Sequence, residues 1–124
     1  MSTVEDLCKE LGATCERIVL EKNPLITTDK RLYSIARRTE AYKLHFKSDM
    51  VEVMDFMLYR IVVGDRVLIT GSDMVVMLDS NGFPYVILNA SVGGIIHKKD
   101  GDTELFLYVD KLLEEEEAID SFLP

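Results

Sequence analysis

The first clear hydrophobic pattern of the chain lies at its beginning. Apolar side chains recur there at a spacing of three or four residues, at Val4, Leu7, Cys8 and Leu11. This spacing places them on one face of a helix, and Gly12 follows where a helix commonly ends. The pattern therefore predicts a short amphipathic helix that ends at Gly12.

From residue 14 onward the pattern changes to short β-rich segments with turn signals between them. These segments cover residues 15–20, 33–36, 42–46, 66–70, 74–78, 85–96 and 104–109. Gly64 and Asp65 form one turn signal, and residues 79–82 form a strong hairpin signal. About seven or eight short strands, with helices only near the two ends, favour an all-β sandwich or barrel over a parallel α/β fold.

Residues 50–63 fit two patterns. Alternate positions from Val51 to Tyr59 favour a strand, whereas the spacing of Met50, Met54 and Met57 favours a helical stripe. The sequence leaves both possibilities open.

The glycine pair Gly93-Gly94 lies inside the apolar segment 85–96, and the charged turn 98–102 closes that segment. Adjacent glycines with strand propensity on both sides predict a sharply bent or bulged strand, such as the corner of a small closed barrel. Both glycines are expected to be structural. A Gly94→Val change should destabilise the fold if Gly94 has a positive φ or another chain segment approaches it closely.

Length and charge narrow the class of protein. The 124 residues suit one domain, and no apolar run approaches the ~20 residues of a membrane helix. The first residues lack the basic-then-apolar order of a secretory signal. A net charge of −8 disfavours tight autonomous binding to nucleic acid. The basic pairs Lys30-Arg31 and Arg37-Arg38 are interpreted as a solvated strand face.

The residues that usually carry chemistry form no recognisable constellation. Cys8 and Cys15 fit no zinc motif and are interpreted as reduced thiols of an intracellular protein. His45 and His97 are far apart in sequence and lack metal-ligand spacing, and Ser91 lies in no nucleophile elbow. The sequence therefore predicts no catalytic residue, no metal site and no cofactor.

The order of several segments resembles a known family. The segments are 35–38 with its two arginines, 42–46, 63–69 around the Gly-Asp turn, 74–77, 91–96 and 100–102. In this order they resemble the subunit-eight family, the small subunit shared by eukaryotic nuclear RNA polymerases I, II and III. The similarity runs from about residue 33 to residue 109. The long acidic loop of that family is missing, because only residues 71–73 separate the two strands where it would lie.

The resemblance implies a single antiparallel barrel of oligonucleotide/oligosaccharide-binding (OB) type. The barrel would cover residues 13–110 of a single domain, with short terminal helical segments and an acidic tail at residues 111–124. It also implies a non-catalytic assembly subunit in the nucleus, docked chiefly on the largest polymerase subunit, with no membrane partner. The residues expected to be structural or to contribute to docking are Gly64, Asp65, Ser91, Gly93, Gly94, Ile95 and Ile96.

Strand alternation suggests where the docking surface lies. One core cannot take all the apolar side chains of two strands, namely Val67, Ile69, Val92, Ile95 and Ile96. The strand after Gly64-Asp65 and the Gly-Gly strand are therefore the candidate docking surface.

Two other functions are considered beside the polymerase hypothesis. One is a free-standing OB-type nucleic-acid-binding module, and the other is a small regulatory scaffold of α+β topology, in which residues 50–59 form a helix.

Overall fold

The computed structural model describes residues 2–110, which form two antiparallel β-sheets and a few short helices. The acidic tail predicted at residues 111–124 lies outside the described residues. The helices are α1 (Val4–Leu11), α2 (Pro24–Thr27) and α3 (Lys30–Arg37), with one turn of 3-10 helix at Leu20–Lys22. The strands are β1 (Thr14–Ile18), β2 (Thr39–Lys47), β3 (Met50–Asp55), β4 (Leu58–Val63), β5 (Arg66–Thr70), β6 (Val75–Leu78), β7 (Pro84–Leu88), β8 (Ser91–His97) and β9 (Asp102–Asp110).

Helix α1 forms as the sequence predicts. Its first turn is closed by a capping box, in which the Thr3 side chain accepts from the Asp6 N–H and the Asp6 carboxylate accepts from the Thr3 N–H. Gly12 ends the helix with a φ of 62°, a conformation that costs glycine little. The four apolar residues of the predicted stripe are all buried.

The two sheets confirm a mostly β fold. One sheet has four strands in the order β1-β2-β9-β8, and the other has five strands in the order β3-β4-β5-β6-β7. The five-stranded sheet is a simple meander of consecutive antiparallel pairs.

Two corners of two residues each connect the sheets. Ser48-Asp49 joins β2 to β3, and Asn89-Ala90 joins β7 to β8. The prediction of one kinked strand over residues 85–96 is therefore wrong, because β7 and β8 belong to different sheets. The first corner is held by the Ser48 N–H, which donates to the Gly101 carbonyl at 2.9 Å, and by the Asp49 N–H, which donates to the Val62 carbonyl at 2.8 Å.

One hydrophobic core fills the space between the two sheets and α1. Its fully buried side chains come from the helix and from both sheets: Leu7, Leu44, Ile61, Leu68, Val75, Met77, Leu105 and Leu107. Strands β5, β6, β7 and β9 bury alternate residues, as expected of sheets with one face on the core. The core thus explains why α1 belongs to the same folding unit as the strands.

Two predictions for the middle of the chain are settled by the structure. Residues 33–36 are part of helix α3 and not a strand; the Asp29 carboxylate caps this helix by accepting from the N–H groups of Arg31 and Leu32. Residues 50–63 form the β3–β4 hairpin, so the helical interpretation and the α+β topology that requires it are wrong.

The expectation of reduced thiols is also wrong in this structure. Cys8, at the buried face of α1, and Cys15, in strand β1, form a disulfide across seven positions of the chain. The sequence pattern did not show this bond because two cysteines at this spacing match no disulfide framework. The bond ties α1 to the first strand of the four-stranded sheet.

We expect the disulfide to stabilise the fold by closing a short loop in the unfolded chain. For a loop of this length, a Cys15→Ser change should lower the free energy of unfolding by about 2–3 kcal/mol. Urea denaturation of the oxidised wild type and the variant measures the difference. Reductant should destabilise the wild type by a similar amount and leave the variant unchanged; an equal effect on both proteins would contradict this role.

Candidate functional site

The four-stranded sheet has an outer face that does not contact the core. Strand register places Ala41, Tyr108 and Ser91 side by side on this face, since Ala41 pairs with Tyr108 and Tyr108 with Ser91. Helix α3 packs against β2 here. Ala36 of the helix and Ala41 of the strand are both almost completely buried outside the main core. Small side chains at these positions allow the helix to lie close to the sheet.

A groove of about 400 Å³ lies beside this contact, between the helical segment 19–38 and the strands β8 and β9. We call it the outer groove. Its helical side is mainly apolar and its sheet side is mixed; together they include Leu20, Ile26, Leu32, Ile35, Ser91, Tyr108 and Asp110. Leu32 and Ile35 remain 46% and 52% exposed, although they belong to the apolar stripe of α3. The helical side of the groove therefore leaves apolar surface open to solvent.

A β-bulge at Gly93 shapes the sheet side of the groove. Val92 pairs with Leu107 and Gly94 pairs with Phe106, so Gly93 is the extra residue between them. A Cβ atom on Gly93 would overlap the ring of Tyr108, whereas one on Gly94 would have no atom within 4 Å. The expected bulge is confirmed. Gly94→Val was expected to destabilise the fold if Gly94 had a positive φ or a close neighbour. Gly94 has neither, so this condition is not met.

The remaining predicted residues of β8 have different environments. Ser91 lines the outer groove and its hydroxyl donates to the Ser72 carbonyl at 2.7 Å. Ile95 packs against the core, and Ile96 lies on the outer face with 48% of its surface exposed. Val92 is buried in the core, so it cannot contribute to a docking surface. Strand β5, with Val67 and Ile69, is interior to its sheet and offers no free edge.

Gly64 and Asp65 form the β4–β5 turn in the other sheet. Gly64 has a φ of 64°, and its N–H donates to the Asp49 carboxylate at 2.7 Å. Next to the turn, the Arg66 guanidinium donates to Glu10 and to the Tyr85 hydroxyl, each at 3.0 Å. The turn therefore supports the Ser48-Asp49 corner and is not among the residues that line the outer groove.

A polar cluster at the same corner is a feature that the sequence did not indicate. The Ser48 hydroxyl lies 3.1 Å from His97 Nδ1 and 2.7 Å from the Thr103 hydroxyl, which is itself 2.8 Å from His97 Nδ1. Ser48 and Thr103 are buried. His97 and Thr103 lie 49 and 55 positions after Ser48 in the chain, so no local motif could have shown the cluster. Because the hydroxyls are buried and hydrogen-bonded to each other, we assign the cluster to the corner and not to nucleophilic chemistry.

The exposed end of this corner carries an ion pair. Lys47 Nζ lies 2.8 Å from Asp102 Oδ1, and His45 Nε2 lies 3.4 Å from the same oxygen. The hydrogen bond from Lys47 holds the pKa of the Asp102 carboxyl below its ordinary value and raises the pKa of Lys47. Lys47 is exposed and Asp102 is partly exposed, so the pair adds little to stability.

Comparison of the chain with family models, with curated proteins and with solved structures finds no match. Within residues 2–110, no helix is long and apolar enough to cross a membrane. The same residues contain no group of three or more metal-binding side chains.

The contact between Gly93 and Tyr108 generates a testable prediction. A Gly93→Val change should destabilise the fold by about 1–3 kcal/mol, because the new side chain displaces the Tyr108 ring. Gly94→Val, one residue away in the same strand, is the matched control and should change stability by less than about 0.5 kcal/mol. Thermal and urea denaturation measure both variants.

A second variant identifies the cause. In a Tyr108→Ala background the cost of Gly93→Val should fall clearly, because the clashing ring is gone. An equal cost in both backgrounds would show that the ring is not the constraint at this position.

Proposed function

We propose that this chain is a non-catalytic assembly subunit of nuclear DNA-dependent RNA polymerases, docked on the largest subunit. The proposal begins with the order of the segments that resemble the subunit-eight family. In the structure these segments occur in strand β2, the β4–β5 turn, strand β6, strand β8 and the turn before β9. The segment 35–38 departs from this arrangement, since it lies at the end of helix α3.

The observation that carries the docking part of the proposal is the position of β8. This strand is at the edge of its sheet and pairs only with β9 among the described strands. The edge of a strand presents backbone N–H and C=O groups that can pair with a strand of another protein. Ile96 adds an exposed apolar side chain on the outer face, and the open space beside Gly94, which has no side chain, permits close approach of a partner backbone.

A barrel of OB type, left open along the edge of β8, is the finer part of the proposal. The two corners give it support, because β2 leads directly into β3 and β7 leads directly into β8. Strands that pass from one sheet to the other in this way are the means by which two sheets join into a barrel. A solved structure in which the two sheets pair with each other away from the edge of β8 would establish the barrel.

A nuclear location is also part of the proposal, and it sets a condition on the disulfide. Glutathione and thioredoxin keep most thiols reduced inside cells, so the Cys8–Cys15 pair would be a dithiol in the nucleus. Under that condition α1 would be held to the sheets by its buried apolar stripe and by the ion pair between Glu10 and Arg66.

Purification from the native source tests the proposal. The full chain, carrying an affinity tag, should recover the largest subunits of nuclear RNA polymerases. An Ile96→Asp change should reduce that recovery at least about tenfold, because it places a charge in the proposed interface. Quantitative mass spectrometry of the recovered proteins measures the loss.

Val53→Asp is the matched control. Val53 is 70% exposed on β3, the edge strand of the other sheet, and its replacement should leave recovery unchanged. Thermal denaturation verifies that both variants fold. If the wild type recovers no polymerase subunit, the assignment to the polymerase fails. If Ile96→Asp recovers as much polymerase as Val53→Asp, the polymerase assignment stands and the docking surface is wrong.

Helix α3 gives one specific reason to consider nucleic-acid binding as the second function. It carries Lys30, Arg31 and Arg37, with Arg38 at its end and the half-exposed Tyr33 among them. A basic helix with an exposed aromatic side chain can contact phosphates and bases. The net charge of −8 opposes this function, since binding to nucleic acid depends mainly on neutralising phosphates.

We expect the isolated protein to bind single-stranded DNA or RNA weakly at physiological salt. Fluorescence anisotropy of a labelled oligonucleotide, measured at several salt concentrations, tests this expectation. If binding is weak, the charge reversal Arg37→Glu should change the measured affinity for the oligonucleotide only slightly. Tight binding with a steep dependence on salt, lost in Arg37→Glu, would favour the nucleic-acid function over the polymerase proposal.

A further inference from the structure

We infer that the outward face of the five-stranded sheet is a docking surface for a protein partner whose apolar contact surface is bordered by lysine or arginine side chains. Three observations support this partner: the register of the apolar side chains, their position away from the core, and the acidic ends of the same sheet. This sheet does not contain β8, so the inference does not depend on the proposed polymerase function.

Strand register brings apolar side chains of the five-stranded sheet together in two rows. One row crosses from β3 to β6, and the other crosses from β5 to β7. Paired residues of neighbouring strands point to the same side of a sheet, so the rows form one apolar surface, which we call the meander face. The first row consists of Met50, Val62, Val67 and Leu78, and the second of Ile69, Val76 and Ile87.

The meander face points away from the core. Leu68 and Met77, which alternate with its residues along β5 and β6, are completely buried in the core. The seven residues of the face neither belong to the core nor pack against it. Five of them are partly exposed, and Met50 and Ile87 are 43% and 37% exposed. Strand β5 thus offers no free edge, but its outward side chains are open to solvent.

The size of the meander face suits a protein surface. Four gaps between five neighbouring strands make a sheet about 20 Å wide. A polar margin is formed by Arg60, which pairs with Ile69, and by Glu52, which pairs with Arg60. A contiguous exposed apolar patch with a polar margin marks an interaction site more often than scattered apolar residues do.

The ends of the same sheet are acidic. Residues 49–88, which include all five strands, contain six acidic residues and two basic ones. Both basic residues are engaged by glutamates: Arg60 lies 3.7 Å from Glu52, and Arg66 lies 3.0 Å from Glu10. Four of the carboxylates lie at the ends of the strands, Asp55 and Asp73 at one end of the sheet and Asp65 and Asp79 at the other.

This charge selects the partner. A second copy of this chain would bring the same carboxylates to the contact, and like charges across an interface oppose association. A partner with lysine or arginine around an apolar centre would instead place opposite charges at both ends of the strands. The observations therefore favour such a partner over a dimer of this chain.

Two synthetic amphipathic helical peptides test the chemistry of the partner. Both have an apolar face of leucines, which is bordered by lysines in the first peptide and by glutamates in the second. In nuclear magnetic resonance of the full chain with labelled methyl groups, the lysine peptide should shift the signals of Val67, Ile69 and Val76. The glutamate peptide should bind at least about tenfold more weakly. Equal binding of the two peptides, or shifts confined to other surfaces, would overturn the inference.

Ile87→Asp separates apolar docking from a general attraction between a basic peptide and an acidic protein. The change adds a negative charge, so a merely electrostatic association would become tighter, whereas docking on the meander face should weaken at least about tenfold. Ile96→Asp makes the same charge change at a half-exposed isoleucine of the other sheet, and this matched control should not weaken binding of the lysine peptide.

Val76→Thr gives the same readout without a change in charge. It keeps the shape of a side chain in the second row but adds a hydroxyl group that docking would bury, so the lysine peptide should bind several-fold more weakly. Thermal denaturation verifies that each variant folds. Unchanged binding in both Ile87→Asp and Val76→Thr would overturn the inference.

Analytical ultracentrifugation of the full chain tests a second copy as the occupant. The wild type should show no dimer that Ile87→Asp dissociates. A wild-type dimer that this change converts into a monomer would assign the meander face to a second copy and would overturn the inference.

Discussion

The two short corners between the sheets are the constraint on which the rest of the structure depends. Each corner has only two residues, Ser48-Asp49 and Asn89-Ala90, so the strand that enters a corner fixes the position of the strand that leaves it. Ser48 is hydrogen-bonded to the β8–β9 region and Asp49 to the β4–β5 turn. The first corner thus holds elements of both sheets at one point. Once both corners are fixed, strand alternation decides which side chains face the common core, except where a bulge shifts the register.

The bulge at Gly93 then separates the two faces of β8. Without an extra residue, the alternation that buries Val92 would also bury Gly94 and would turn Ile95 outward. The bulge shifts the register by one residue, so Ile95 packs against the core and Ile96 lies on the outer face. The same glycine gives the Tyr108 ring room to lie on the outer face. One position without a side chain therefore shapes both the core and the outer groove.

The sequence predicted what depends on local patterns and missed what depends on distant partners. The stripe of α1, its end at Gly12 and the glycine-rich turns follow from spacing and backbone preference, and the structure confirms them. Residues 33–36 were mistaken for a strand because four residues are too few to distinguish the apolar spacing of a helix from that of a strand. Asp29, the N-cap of α3, was the available signal for the start of a helix. The disulfide, the Ser48 cluster and the outer groove join residues of separate elements, so no local pattern could reveal them.

The segment 19–38 raises a physical question that the sheets alone do not answer. Strands β1 and β2 pair directly, with Ile18 opposite Ala41, so a short turn would be enough to join them. Instead, the twenty residues 19–38 fold into short helices of which Ala36 alone is buried. Ordering such a connection costs conformational entropy, and long connections in compact domains are usually functional. The pairing of β1 with β2 does not involve these helices, whereas their residues form one side of the outer groove. The segment thus adds an apolar groove wall and five basic residues to an otherwise acidic protein.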